Sequence, residues 1–368
     1  MTKQKKQIKN NKSQATDIRT YKGKTQKQFL EDQLHNLLNI QGVSGKEIRV
    51  SNYLLKELSN LKYNFLRLDE YGNIHMEVNV GNGEGAIVHL NSHMDTVSGV
   101  REDKVINNDS GVYTAMLPDG TRGILGADDR AGIATILTIL FFPPAFNGKF
   151  RVSFYKEEEI GCVGSTNSDK SILKDVDLAI TFDRRGNSDI VVGCWGQAFA
   201  SNAVADWLES VSNENGFGFS ATEGGISDAC TVSEQGVNSV NLSVGYYNEH
   251  TTSEYLVFSE LYKTLEFAKC AISKINTAKD TFGSVPSTND WSSVGSYSSG
   301  TYYNQYNDSP LYSPLGFYDE DCGKVIITDG LSEMSLDSDE LEYLIADLKR
   351  AKVQMDSATL AKDYLDEI

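Results

Sequence analysis

His93, Asp128, Glu159, Asp183 and His250 offer two imidazoles and three carboxylates, the side chains with which proteins hold divalent metals. Each sits in a short apolar-flanked motif: IVHLNSHMDTV, GILGADDRAG, FYKEEEIGCVGS, AITFDRRG and YYNEHTTSEYL. In most of these motifs a strand-like apolar stretch ends in polar residues. Side chains far apart in sequence can meet at such strand ends, where open α/β sheets place their ligands. The set predicts a two-metal hydrolase centre.

Taken singly, each motif has a plainer explanation. In His93-Met94-Asp95 the first and third residues share one face of a strand, so Asp95 can fix the other ring nitrogen of a metal-bound His93. His89, four residues earlier, is expected more than ~10 Å from that point at ~3.3 Å per residue, as a core or surface histidine. Asp128 and Asp129 stand at a strand-to-helix junction, where a carboxylate can simply cap the helix or, in a two-metal centre, bridge both ions. Three adjacent acids, Glu157 to Glu159, suit a solvated turn. Between an apolar strand and the tight Gly161-to-Ser165 turn they also suit one metal ligand beside one general base. Arg184 and Arg185 next to Asp183 are either exposed or receive a substrate carboxylate, and Tyr246 and Tyr247 are either packed aromatics or oxyanion donors.

The elements that must position these groups follow from periodicity. A helix begins near Gln28, and a second follows GVSGKE with Ser44 as its N-cap candidate. YNFLRLDEYGNIHMEV reads as a hairpin, GAIVHLNSHMD as a buried strand, and GVYTAMLPDGTRGIL as two strand pieces around an Asp-Gly turn. Asp128 opens the apolar helix IATILTILFF, stopped by Pro143-Pro144. Strands FRVSFY, LAITFD and GVNSVNLSV then alternate with helices near STNSDKSILKD, in SNAVADWLESVSNENG and in SEYLVFSELYKTLEFAKCAISKI. This alternation predicts a three-layer α/β/α sandwich around a mixed, mostly parallel sheet. Four regions are expected: a basic disordered tail (1–27), the catalytic domain (28–275), a Ser/Tyr/Asn-rich linker or loop (276–310), and an acidic C-terminal unit (311–368) with one strand, KVIITD, and a helix opened by Asp337 and Glu340.

Across 368 residues, 23% charged and 40% hydrophobic, the net charge of −17 argues against phosphate-backbone binding by the main body. Residues 1–27 are Lys-rich with Asp17 as the only acid, so they read as a solvated tail or a docking element for an acidic partner or nucleic acid. The acidic C-terminal unit suits packing or a protein partner. Five Cys without a C-x-x-C or close pair suit a reducing compartment, no stretch approaches a membrane helix, and the expected location is cytoplasmic.

HMDTV, LGADDRAGIA, EEEIG-x-x-GS, FDRRG, GGISDA and EHTTSEY together resemble the successive motifs of the co-catalytic di-zinc exopeptidases, the peptidase T-like tripeptidases and the glutamyl- and leucyl-type aminopeptidases, over about Gln28 to Ile275. The resemblance implies that His93, Asp128 and Asp183 hold one metal, and Asp128, Glu159 and His250 the other. It makes Glu158 the general base and Asp95 the support of His93, and it implies a cis peptide after Asp128. The ions would be Zn2+, with Co2+ or Mn2+ as substitutes, and the substrate a peptide. Neither inter-motif interval is long enough for the lid or dimerisation domain of larger members, so a compact lidless domain is expected. A deacylase acting on N-acyl amino acids would use the same centre. A non-catalytic assembly protein retaining the fold would have no need of Glu158.

Overall fold

A computed structural model of the chain describes residues 20–194, 196–286, 315–319, 324–328 and 333–336. Helix α1 (Gln26–Leu38) starts two residues before the apolar pattern does, because Thr25 and Gln28 close a reciprocal capping box. Helix α2 (Ile48–Leu58) has Glu47 rather than Ser44 at its N-cap position, with no side-chain bond to the helix amides, and the Ser44 hydroxyl donates to Asp95 at the functional site instead. Strands β1 (Phe65–Leu68) and β2 (Ile74–Val80) form the expected hairpin, and β3 (Ala86–His93) ends at the first candidate ligand.

Between His93 and Asp128 the chain makes β4 (Val105–Asp109), β5 (Val112–Met116) and β6 (Arg122–Gly123). Helix α3 (Ala127–Phe141) and β7 (Gly148–Tyr155) follow, then the one-turn helix α4 (Val163–Thr166). The helix expected near STNSDKSILKD is only a 3-10 turn, Lys170–Leu173, capped by Asp169. Strand β8 (Leu178–Arg184) carries Asp183. Two strands absent from the periodicity follow it, β9 (Asp189–Cys194) and β10 (Gln197–Ala198). Next come α5 (Asn202–Asn215), β11 (Ser220–Glu223), α6 (Asp228–Ser233), β12 (Ser239–Ser243), β13 (Tyr246–Tyr247) and β14 (Tyr255–Val257). Helix α7 (Phe258–Lys274) begins only at Phe258, since Tyr255 to Val257 pair as a strand with β13 and β5.

The main sheet has the order β1-β2-β7-β3-β8-β12-β9-β10, with β11 beside β9. Its central run β7-β3-β8-β12 is parallel, while β2 against β7, β12 against β9, and the outer hairpins are antiparallel. The sheet is therefore mixed, with the parallel pairing concentrated at its centre. Alternation along β8 separates two faces. Leu178, Ile180 and Phe182 join the large core with residues of α1, α3, α5 and α7, whereas Ala179 packs with Ile172, Leu173 and Val232 on the other side. Helices on both faces make the three layers. The interval between His93 and Asp128 gives β4, β5 and β6 to a small second sheet, β13-β14-β5-β4 with β6 on β5, and not a lid domain.

Residues 276–283, expected at the start of a linker, pack on the domain: Phe282 is buried against Trp207, and the Asn276 amide accepts from Ala86 N at 2.7 Å. The chain divides into two units at Gly300/Thr301. In the second, three strands form an antiparallel meander, β15 (Leu315–Asp319), β16 (Lys324–Thr328) and β17 (Glu333–Leu336), where the sequence suggested one. The helix expected from Asp337 and residues 1–19 of the tail expected over 1–27 lie outside the described residues, whereas the rest of that tail is ordered: Tyr21 packs on Phe29 and Phe141, and Thr25 to Lys27 cap and open α1. No helix among the described residues is long and apolar enough to cross a membrane.

Candidate metal centre

The carboxyl ends of β3 and β8, the turn after β7, the start of α3 and the β13–β14 loop meet at one point. Two groups of side chains there have potential ligand atoms within 4.8 Å of one another: His93, Asp128 and Asp183, and Asp128, Glu159 and His250. Asp128 belongs to both. Its Oδ1 lies 3.0 Å from His93 Nε2, and its Oδ2 lies 3.2 Å from His250 Nε2. His93 Nε2 is also 3.6 Å from Asp183 Oδ1, and His250 Nε2 is 2.8 Å from Glu159 Oε2. His93 is buried, while the His250 side chain is 47% exposed at the mouth of the site.

Backbone geometry separates the two aspartates at the head of α3. Asp128 and Asp129 have non-helical dihedrals, and the peptide between them is cis. Asp129 turns inward, taking bonds from Ser92 Oγ and from Gly132 N at 2.9 Å, so it caps the helix. Asp128 is left facing the site. Gly132 lets the helix approach β8, because a Cβ there would lie 2.0 Å from the Phe182 carbonyl oxygen.

Asp95 ties four parts together. Its Oδ1 is 3.2 Å from His93 Nδ1 and accepts from Glu158 N at 3.0 Å. Its Oδ2 accepts from Ser44 Oγ at 2.7 Å and from Glu159 N at 3.2 Å. Burial opposes its charge, but these contacts prevail and hold its carboxyl down at about 2. The Glu158 carboxylate reaches to 3.9 Å from His93 Nε2, and burial raises its pKa well above the ordinary value. Burial also lifts Asp183 to about 7, helped by the Asp128 charge. His250 is raised to about 11 by its bonds to Asp128 and Glu159. Burial would lower His93, yet Asp128, Asp183 and Asp95 outweigh it and raise it.

This crowding of acids fits bound cations. Each group offers one imidazole and two carboxylates, and Glu159 Oε1 is buried without a hydrogen-bond partner. A pair of divalent ions would supply the missing positive charge and accept the unpaired lone pairs.

The remaining sequence candidates are also placed. Tyr246 OH donates to Asp183 Oδ1 at 3.1 Å, and Tyr247 OH donates to Glu260 Oε2 at 2.6 Å while its ring stacks on Tyr255. Arg184 pairs with Asp189 at 2.9 Å and Arg185 with Glu249 at 2.9 Å. His89 is a core histidine, its Nε2 2.9 Å from Ser153 Oγ. A cavity of about 180 Å³ opens over the site, lined by Asp128, Glu158, Glu159, Asp183 and His250 with Arg184, Arg185, Tyr246 and Glu249 at its walls. A larger groove of about 560 Å³ between α1, the end of α3 and α7 has no imidazole or acid cluster.

Three supporting residues escaped the sequence reading. Ser44 holds Asp95, as above. Arg130, buried inside the fold, donates to Met94 O at 2.7 Å and reaches the carbonyls of Asp95, Ile40 and Gly42 at 3.4–3.5 Å. Glu254 accepts bonds from the backbone just before Asp128. All three act through polar contacts that no hydrophobic period displays; only the D-D-R and H-x-x-x-E spacings marked two of them.

The fold is thus a doubly faced α/β sheet that carries two clusters of His and acid at its strand ends. Residues 73–281, more than half of the chain, match peptidase family M28, and the chain belongs to that family. Among curated relatives, peptidase T of Staphylococcus carnosus is 47% identical over 53 residues, 13% of either chain. Peptidase T of Halothermothrix orenii is 30% identical over 150 residues, 31% of this chain and 36% of that one. The matches thus span well under half of these relatives. The fold is also that of the aminopeptidase PepT of Bacillus cereus (TM-score 0.58, 18% identity, 68% of this chain and 98% of that one). An aminopeptidase of the archaeon Desulfurococcus kamchatkensis is similar as well (TM-score 0.55, 16% identity, 70% and 98%).

Proposed function

We propose that this chain is a metal-dependent exopeptidase that removes residues from the amino end of short peptides. The observation that carries the reading is the bridging posture of Asp128, one oxygen toward His93 and the other toward His250. In this reading His93, Asp128 and Asp183 hold one divalent ion, and Asp128, Glu159 and His250 the other, zinc being the natural occupant of such a nitrogen and oxygen set. When bound, the pair supplies Lewis acidity at the scissile carbonyl and lowers the pKa of an attacking water.

The chain's own groups do the rest. Glu158 lies at the cavity wall, within 3.9 Å of His93 Nε2, placed to take the proton of the attacking water and deliver it to the leaving amine. Asp95 orients His93 and, through the Glu158 and Glu159 amides, the turn that presents both acids. Tyr246 donates to Asp183 and steadies that ligand.

Two features favour peptide ends. The cavity, about 180 Å³, is smaller than the ~300–1,000 Å³ usual for larger ligands. Glu249, paired with Arg185 through Oε1, brings to it a buried Oε2 with no hydrogen-bond partner, a suitable seat for a free α-ammonium, while Arg184, paired with Asp189, lines the same cavity for a substrate carboxylate. Four described cysteines are unpaired thiols, which suits a reducing compartment such as the cytoplasm.

Digestion of a peptide library by the purified chain, with and without chelator and read by mass spectrometry, tests the proposal. Stepwise loss of amino-terminal residues is expected, abolished by chelator and restored by zinc, cobalt or manganese. Internal cleavage, or turnover indifferent to chelation, would overturn it. Cleavage of N-acyl amino acids in place of free peptides would reassign the centre to deacylation.

A further inference from the structure

Glu254 lies four residues beyond His250, in the loop joining β13 to β14, and is fully buried. Its Oε2 accepts from Gly126 N at 2.7 Å, and its Oε1 accepts from Ala127 N at 2.7 Å and from Asp128 N at 3.3 Å. Amides at the start of a helix have no carbonyl of their own helix to bond. Here a carboxylate 126 residues or more away in sequence serves three in succession, and charge-assisted bonds of this kind are roughly twice as strong as neutral ones. Gly126, at φ +70°, bends the chain so that the three amides point one way, a concave nest for an anion. From the other side, Lys104 Nζ donates to the Leu125 carbonyl. The segment Leu125 to Asp128 is therefore gripped by an ammonium on its carbonyl and a carboxylate on its amides.

We propose that Glu254 is the positioning residue of the bridging carboxylate: it fixes the backbone from which Asp128 projects and couples it to the loop that carries His250. The inference rests on the two-cation reading given above. Asp128 must present one oxygen to each cluster at once, so a small rotation of residues 126–128 spoils both, and such constellations tolerate only about 0.5 Å of misplacement. His250 and Glu254 share one short loop, so the same segment carries the imidazole and the support of Asp128. Glu254 is not itself a ligand, since both of its oxygens are engaged by amides and it belongs to neither donor cluster.

The test uses the full chain stripped of metal, as wild type, Glu254→Gln and Glu254→Asp. Glutamine keeps the shape but turns an NH2 toward amide donors; aspartate keeps the charge but withdraws it by one methylene. Zinc affinity is measured by calorimetric titration, exchange of the Gly126 to Asp128 amides by hydrogen–deuterium mass spectrometry, and kcat and KM on a peptide the wild type cleaves. Glu254→Gln should bind zinc tenfold to a hundredfold more weakly, the range seen when the support of a metal ligand is removed. Its 126–128 amides should exchange faster, and kcat should fall with KM within about twofold of wild type. Glu254→Asp should recover part of each loss, and it decides the matter alone if the glutamine variant does not fold. Native zinc affinity and kcat in a folded variant, with only its melting temperature lowered, would reduce Glu254 to a structural cap and overturn the proposal while leaving the two-cation reading intact. A wild-type chain that takes up no zinc would overturn both.

Discussion

At the scale of single residues, identical side-chain types do opposite work according to their surroundings. Glu158 and Glu159 are chain neighbours, yet Glu159 meets His250 at 2.8 Å while Glu158 reaches only to 3.9 Å from His93 and belongs to neither donor cluster, and the proposed function makes it the base. Glu158→Gln should therefore keep its bound metal and lose kcat by a factor of about 10² to 10⁴, the usual worth of a general base. Metal analysis and steady-state kinetics on one preparation check this, and near-native turnover would move the base elsewhere. His89 and His93 make a second contrast on one strand. Burial pushes His89 down to about 3, against about 6.5 in an unfolded chain. Between those values the unfolded chain binds a proton that the folded chain refuses, so His89 costs stability progressively as pH falls from about 6.5 toward 3, at about 1.4 kcal/mol per pH unit. His89→Gln lacks that cost, and urea unfolding of the two proteins should show the variant gaining on wild type across this window. A difference independent of pH would contradict the assignment.

At the scale of elements, the ends of strands were legible and the fastenings between them were not. The apolar runs of β3, β7 and β8 announce buried strands, and the acids that end or follow them meet as their spacing implied. Strand β11, with Ala221 as its only apolar residue, and α6, under two turns long, hold too few residues to display a period. The start of α7 was misplaced because Tyr255, Leu256 and Val257 run without a break into its apolar pattern, and only pairing with β13 and β5 makes them a strand. Arg130 is the fastening with the clearest energetic weight. Its guanidinium joins the head of α3 to the carbonyls that end β3 and lead into α2, and burial lowers its pKa to about 10. Arg130→Met would fill much of the space but leave several buried carbonyls unpaired, for a loss of about 3 kcal/mol in unfolding free energy. Urea denaturation measures it directly; a loss below about 1 kcal/mol would mean that the loop re-pairs without the arginine.

For the molecule as a whole, the order of motifs along the chain and the alternation of strands with helices were sufficient to anticipate a three-layer domain of this family. They did not reveal the second small sheet. Its strands come from two distant segments, 105–123 and 246–257, and pairing between distant segments leaves no mark in either alone. That sheet matters because β13 and β14 flank the loop bearing His250, and β5 holds β14 in place. The C-terminal meander was underestimated because β15 (LGFYD) and β17 (EMSL) are interrupted by glycine, serine or acids, and only β16 carries an unbroken aliphatic run, Val325-Ile326-Ile327. The proposed function requires the folded chain to gather a pair of divalent cations around Asp128. Diffraction at the zinc absorption edge from crystals grown with zinc tests it most directly. Two anomalous peaks should flank the Asp128 carboxylate, one touching His93 and Asp183 and the other Glu159 and His250; a site without peaks, or a single peak that Asp128 does not touch, would contradict it.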